Sequence, residues 1–235
     1  MNIKYKDTMV EMRDGTRLAT DIYLPDSYNR GSPSIFPTLL QRTPYGKSSG
    51  ERPDEAEFFT EHRYVVVIQD CRGRYHSEGG FTKYTDEGID GYDTLAWIGK
   101  QGWSNGQIGS YGLSYAAHTQ AAMASLNPQN LTCMWLDCGG FSNAFISGCR
   151  NNGAFELRQL TWAFREALES LLVQNDPNKL SEMNKIDPKE LFLNLPWGPN
   201  DSPLRWAPDY EKYLLDIWEE ERFTDYWKQI GLSME

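Results

Sequence analysis

Gly109-Ser110-Tyr111-Gly112-Leu113-Ser114-Tyr115-Ala116 is the stretch whose reading decides the fold. It holds the pattern G-x-S-x-[GA], with Gly112 two residues before Ser114 and Ala116 two residues after it. Ile108–Tyr111 reads as a short strand, and residues 114–125 read as a helix of small side chains. A serine at a sharp strand-to-helix bend stands exposed above its sheet, and it needs small neighbours because strand and helix pass close together. The backbone N–H that follows, that of Tyr115, lies at the helix N-terminus, where donors and dipole favour a developing negative charge. Taken alone, the pattern also fits an ordinary βα turn, so the rest of the chain has to decide.

Working outward, Tyr64-Val65-Val66-Val67-Ile68 is continuous and β-branched, as a central parallel strand covered on both faces would be. Residues 86–100 read as a helix with Ile89, Tyr92, Leu95, Ala96 and Ile98 on its apolar side, and residues 131–137 as a further strand. Strand and helix alternate across 64–137, which specifies an open α/β sheet with parallel crossovers. Toward the N-terminus, residues 5–12 and 17–24 form an expected hairpin around Arg13-Asp14-Gly15-Thr16. Pro25 to Pro33 is a polar loop, and Phe36–Leu40 is a buried strand running into the loop Gln41–Lys47. Residues 52–62 are expected to be a helix packing Phe58 and Phe59 inward, and Asp70–Gly80 is a Gly-rich loop. After about residue 140 the sequence turns helical and aromatic, broken by Pro177, Pro188, Pro196, Pro199, Pro203 and Pro208. The expected division is an α/β core over 1–140 and a helical region over 141–235, with no internal repeat.

A chain of 235 residues suffices for one large α/β domain, or for one domain with a smaller insertion. Its 40% hydrophobic and 13% aromatic content can fill a sizeable core. A formal charge of -10 argues against nucleic acid as a partner. The acidic run Glu219-Glu220-Glu221 reads as a solvated helix face. Cys71, Cys133, Cys138 and Cys149 make no C-x-x-C pair and the three histidines lack zinc spacing, so no metal and no cofactor are expected. Free, buried thiols in a reducing compartment follow from the same spacing. The first ten residues lack an apolar signal core, and no stretch approaches 18 apolar residues. A soluble, cytoplasmic protein without a membrane partner is expected. Neither G-x-x-x-x-G-K-[ST] nor G-x-G-x-x-G occurs, which weakens a nucleotide-binding reading.

Further segments accompany the bend in a fixed order over residues 12–116. They are Met12-Arg13-Asp14-Gly15-Thr16-Arg17-Leu18, Arg42-Thr43-Pro44-Tyr45, Gln69-Asp70-Cys71-Arg72-Gly73-Arg74 with Ser77-Glu78-Gly79, Asp90-Gly91-Tyr92-Asp93-Thr94, and Trp103-Ser104-Asn105-Gly106. In this ensemble the chain resembles the cocaine-esterase-like and X-prolyl dipeptidyl-peptidase-like serine hydrolases, the CocE/NonD group. The resemblance implies an α/β-hydrolase fold whose helical cap is residues 141–235, closing with Asp225-Tyr226-Trp227-Lys228. It implies Ser114 as the nucleophile toward an ester or amide carbonyl, and an oxyanion hole made by the Tyr45 hydroxyl and the Tyr115 backbone N–H. A phenol suits that task as a neutral donor. Asp70, Arg72, Glu78 and Asp90 read as a salt-bridged loop, because a serine nucleophile needs a histidine and not a carboxylate pair.

The resemblance further implies an Asp and a His beyond the cap, in later strands of the sheet, followed by a β-sandwich. Downstream of Ser114 the sequence offers His118 alone, four residues along the same helix and directed along its flank. His62 and His76 lie upstream, out of the order Ser, acid, His. The chain is therefore expected to be an N-terminal part with an incomplete sheet, lacking the triad Asp and His and poorly active alone. A missing C-terminal half or a second copy is its expected partner. Hydrophobic esters, X-Pro peptides and α-amino acid esters are the implied substrates. The aromatic cap favours the first, and Asp137 is the carboxylate that an amino group would seek. A non-catalytic remnant that binds a ligand or partner is the competing expectation.

Overall fold

The computed structural model describes residues 3–28, 35–139, 144–187, 192–193, 195–199 and 201–230. The end of the polar loop expected over Pro25–Pro33, and the boundary expected at 140/141, lie outside the described residues. Contacts divide the chain into two compact units, Met1–Gly80 with Tyr84–Gly140, and Phe81–Lys83 with Phe141–Glu235.

The first unit is built on β1 (Ile3–Glu11), β2 (Arg17–Tyr23), β3 (Phe36–Thr43), β4 (Val65–Asp70), β5 (Ser104–Leu113) and β6 (Leu131–Asp137). They form one sheet in the order β1-β2-β4-β3-β5-β6. β3 is parallel to β4 and β5, and β5 to β6, whereas the β1–β2 hairpin joins β4 antiparallel. The strand read as central, β4, is buried at every residue. Its side chains alternate as a strand's must. Val65 and Val67 join Leu40, Leu95, Ile98, Ile108 and Met123 on one face, and Val66 and Ile68 join Tyr23 and Ala56 on the other. α2 (Glu87–Ile98) and α3 (Tyr115–Ala124) supply the first of these faces, and α1 (Arg52–Glu61) the second.

Several expectations change. β5 is longer than 108–111 and starts at Ser104. Phe58 does not pack inward: it is 55% exposed, while Pro53, Ala56 and Thr60 face the sheet. Their three- and four-residue spacing is that of a helix face, and small side chains let α1 approach closely. On α2, Ile89 is exposed, and the buried face includes Glu87, Asp90 and Thr94. The cause is Arg42, buried in β3, whose Nη1 lies 2.9 Å from Glu87 and whose Nη2 lies 3.6 Å from Asp90. A buried guanidinium must be paired, so the helix presents acids where periodicity suggests oil. Of the four thiols, Cys71 and Cys149 are buried, but Cys133 and Cys138 are exposed.

Among the described residues, β6 is an edge of the sheet. It is exposed from Thr132 to Asp137, with Trp135 at 74%.

The second unit is mostly helical, with α4 (Arg158–Leu168), α5 (Leu171–Gln174), α6 (Pro177–Asn184), α7 (Pro208–Glu219) and α8 (Asp225–Gln229). It also holds a two-stranded hairpin, β7 (Arg150–Asn151) with β8 (Ala154–Phe155), in a stretch read as helical. The run Glu219–Glu221 crosses the end of α7 rather than lying along its face. Leu160, Ala163, Phe164 and Ala167 of α4 and Tyr210, Tyr213, Leu214 and Ile217 of α7 are buried, the helical spacing that an apolar stripe requires.

Candidate active site

Ser114 sits between the last residue of β5 and the first of α3, with φ 59° and ψ -112°. Non-glycine residues pay to hold that backbone region. Hydrogen bonds on both sides hold it: its N–H donates to the Asp137 carbonyl (2.8 Å), and its own carbonyl accepts from Ala117 N (3.1 Å) and His118 N (3.2 Å). Ser114 is exposed, while nine of the ten residues of α3 are buried. The small neighbours are required sterically. A Cβ on Gly112, which has φ +151°, would come 2.5 Å from Ala116 Cβ, and one on Gly139 would come 2.4 Å from the Ser114 carbonyl oxygen.

Tyr115 anchors the start of α3. Its hydroxyl donates to Glu87 Oε1 (2.9 Å) and accepts from Tyr84 N (3.0 Å). Burial, reinforced by the Glu87 charge, pushes this phenol well above its ordinary pKa. Burial likewise raises the Glu87 carboxyl, opposed by Arg42. The Tyr115 side chain is thereby locked, and its backbone N–H is the first of the helix, without an intrahelical acceptor. Tyr45 lies in the loop after β3, half-buried, its ring edge-on to Tyr115 with centroids 6.2 Å apart. The fold thus brings the loop of Tyr45 beside the residue that follows Ser114.

The three histidines sit elsewhere. His118 is fully buried in α3, packed against Tyr84 (4.2 Å between centroids) and Tyr115 (6.2 Å). His62 caps α1 and bonds the Phe58 carbonyl, and His76 bonds Asp7. Asp137 ends β6 and uses its backbone carbonyl on Ser114. The acidic and basic residues of the Gly-rich loop form ion pairs: Arg72 with Asp90 (2.6 Å) and Asp14 (2.7 Å), and Glu78 with Arg17 (2.5 Å). No group of three His, Cys, Asp or Glu suited to a metal occurs among the described residues, and no described helix is long and apolar enough to cross a membrane.

The family model of X-Pro dipeptidyl-peptidase (S15 family) matches residues 14–235. The chain belongs to this family. This S15 chain is 43% identical over 119 residues to the cocaine esterase of Rhodococcus sp. (strain MB1 Bresler), a match covering 48% of the chain and 20% of the esterase. A CocE/NonD family hydrolase from Staphylococcus aureus superposes with a TM-score of 0.69 at 25% identity, covering 97% of this chain and 38% of that one. An aminopeptidase from a marine sediment Thaumarchaeota archaeon gives 0.56 at 26% identity, over 71% of this chain and 30% of the other. The match spans about a fifth of the length of its curated relatives. The fold is that of the CocE/NonD α/β hydrolases.

Sequence reasoning missed two parts of the site's support in the S15 chain. One is the buried trio Arg42, Glu87 and Tyr115 beneath the bend. The other is Lys47, two residues after Tyr45 and only 3% exposed, set among Asp7, Asp21 and Asp70. Neither leaves a periodic trace. Arg42 stands between Gln41 and Thr43 in a stretch read as the loop Gln41–Lys47, whereas β3 runs on to Thr43 and buries it.

Proposed function

We propose that this chain carries the nucleophile and oxyanion-binding groups of an acyl-transfer site acting on esters or amides. Ser114 Oγ attacks the carbonyl carbon, and its proton passes to a base. The carbonyl π electrons move to oxygen, and that oxyanion is held by the Tyr45 hydroxyl and the Tyr115 backbone N–H. Collapse breaks the bond to the leaving group, which takes up the proton, and leaves acyl-Ser114 for water to hydrolyse. The observation that carries the reading is the exposed Ser114 at φ 59°, ψ -112°, on the junction of β5 and α3. The positions of His62, His76 and His118 support a base that comes from polypeptide beyond these residues, so that the chain by itself is slow or inactive. Hydrophobic esters are the preferred substrate class, ahead of X-Pro peptides and α-amino acid esters, with residues 141–235 serving as the cap.

Labelling of the folded chain with a fluorophosphonate probe tests the proposal. Slow labelling that disappears in Ser114→Ala, and that falls by a further factor of roughly 10²–10³ in Tyr45→Phe, is expected. The buried His118 favours one other reading, a non-catalytic remnant that binds a ligand or partner. Absence of labelling in a protein shown to be folded would decide for it.

A further inference from the structure

Lys47 is a buried ammonium surrounded by three carboxylates. Its Nζ lies 2.6 Å from Asp7 Oδ1, 3.4 Å from Asp21 Oδ1 and 3.8 Å from Asp70 Oδ2, and its backbone N–H donates to Asp70 Oδ1 at 2.6 Å. Asp21 and Asp70 are as buried as the lysine. Taking charges of both signs out of water is expensive, and replacing such a cluster with hydrocarbon is often neutral or stabilising. Folding alone therefore gives no reason to keep it.

Its location supplies one. The three acids belong to β1, β2 and β4, and Lys47 belongs to the loop that carries Tyr45. β1 is bent to reach it: Asp7 has φ 50°, the register with β2 shifts between Tyr5 and Thr8, and the Asp7 N–H donates to Asp21 Oδ1 (2.9 Å). Bulges of this kind re-aim a side chain. Here the side chain aimed is the closest partner of Lys47. The other bonds of the loop act in the same sense. Arg74 Nε donates to the Pro44 carbonyl (2.7 Å), Cys71 N to the Thr43 carbonyl (2.9 Å), Tyr45 N to Thr43 Oγ1 (3.1 Å) and Ser48 Oγ to Asp21 Oδ2 (2.9 Å). The peptide that leads into Tyr45 is held at its carbonyl and at its N–H, and Lys47 is the tie that crosses to three strands.

We infer that Lys47, with the Asp7–Asp21–Asp70 cluster, is a positioning residue that fixes the Tyr45 hydroxyl for its work at Ser114. The inference rests on the proposed role of Tyr45. A displacement of about 1 Å at a catalytic donor can cost up to about a hundredfold in rate, so an ion cluster that prevents it need not add stability.

The full chain prepared with 3-fluorotyrosine allows a test by fluorine NMR, with Tyr45→Phe identifying the Tyr45 line by its loss. In Lys47→Met that line should shift and broaden while those of Tyr23 and Tyr111 stay in place, and Lys47→Arg should restore it. The rate of fluorophosphonate labelling should fall on the order of tenfold in Lys47→Met and recover in Lys47→Arg. An unmoved Tyr45 line in folded Lys47→Met would overturn the inference, as would an unchanged labelling rate. Should Lys47→Met fail to fold, Asp7→Asn, at the half-exposed rim of the cluster, is read in the same way. A wild-type chain that takes no probe would sink the Ser114 reading by itself and leave the Tyr45 line to decide on Lys47.

Discussion

Replacing Ser114 by glycine should make the protein more stable than replacing it by alanine, although both remove the hydroxyl. The backbone at φ 59°, ψ -112° is fixed by the bonds to Asp137, Ala117 and His118, so a side chain there must bear the conformation. Such strain costs roughly 1–3 kcal/mol for a non-glycine residue. Alanine keeps it and glycine removes it. Glycine also loosens the unfolded chain, which offsets about 0.5–1 kcal/mol. Since Ser114 is exposed, little packing is lost in either variant. The net advantage of Ser114→Gly over Ser114→Ala is about 1 kcal/mol, or a melting temperature higher by roughly 2–4 °C for a domain of this size. Thermal unfolding followed by circular dichroism on the three proteins measures it. Equal melting of the two variants, or earlier melting of Ser114→Gly, would refute the claim that the bend stores strain at this residue.

Gly112→Ala should destabilise by at least about 1–3 kcal/mol, because its methyl would meet Ala116 Cβ at 2.5 Å and neither backbone can yield; urea unfolding is the measurement. Tyr115→Phe removes the bonds of the hydroxyl to Glu87 Oε1 and from the Tyr84 N–H in the interior, so a loss of roughly 1–3 kcal/mol is expected in the same assay, and no loss would mean that other groups replace the hydroxyl. Burial pushes the Asp70 carboxyl up to about 6, from 3.8, against the opposing pull of the Lys47 N–H and ammonium. The folded state therefore holds the Asp70 proton more tightly than the unfolded chain, so its contribution is full below about pH 4 and is lost as pH rises through 6. Relative to wild type, Asp70→Asn should gain about 2–3 kcal/mol in stability between pH 4 and pH 7.5, and a difference independent of pH would show that Asp70 does not titrate in that window.

The bend at Ser114 was legible in sequence because the backbone itself demands small residues, and Gly112 and Ala116 satisfy that demand at fixed spacing. β4 was legible because five consecutive apolar, mostly β-branched residues fit a strand covered on both faces. Elements placed by pairing rather than by pattern were not legible. Periodicity put Ile89 inside α2, whereas Arg42 draws Glu87 and Asp90 there instead. Periodicity also turned Phe58 inward, although α1 needs small residues against the sheet. Lys47 closes the loop Gln41–Lys47, and nothing local announces that Asp7, Asp21 and Asp70 converge on it from three strands. Tertiary charge pairing has no period to read.

The margin of the sheet at β6 has a practical consequence. Among the described residues, Leu131-Thr132-Cys133-Met134-Trp135-Leu136 has a strand partner on one side alone and offers water an exposed indole, with no lysine or proline to keep neighbours away. Self-association of this chain in dilute buffer is therefore expected to rise with its concentration.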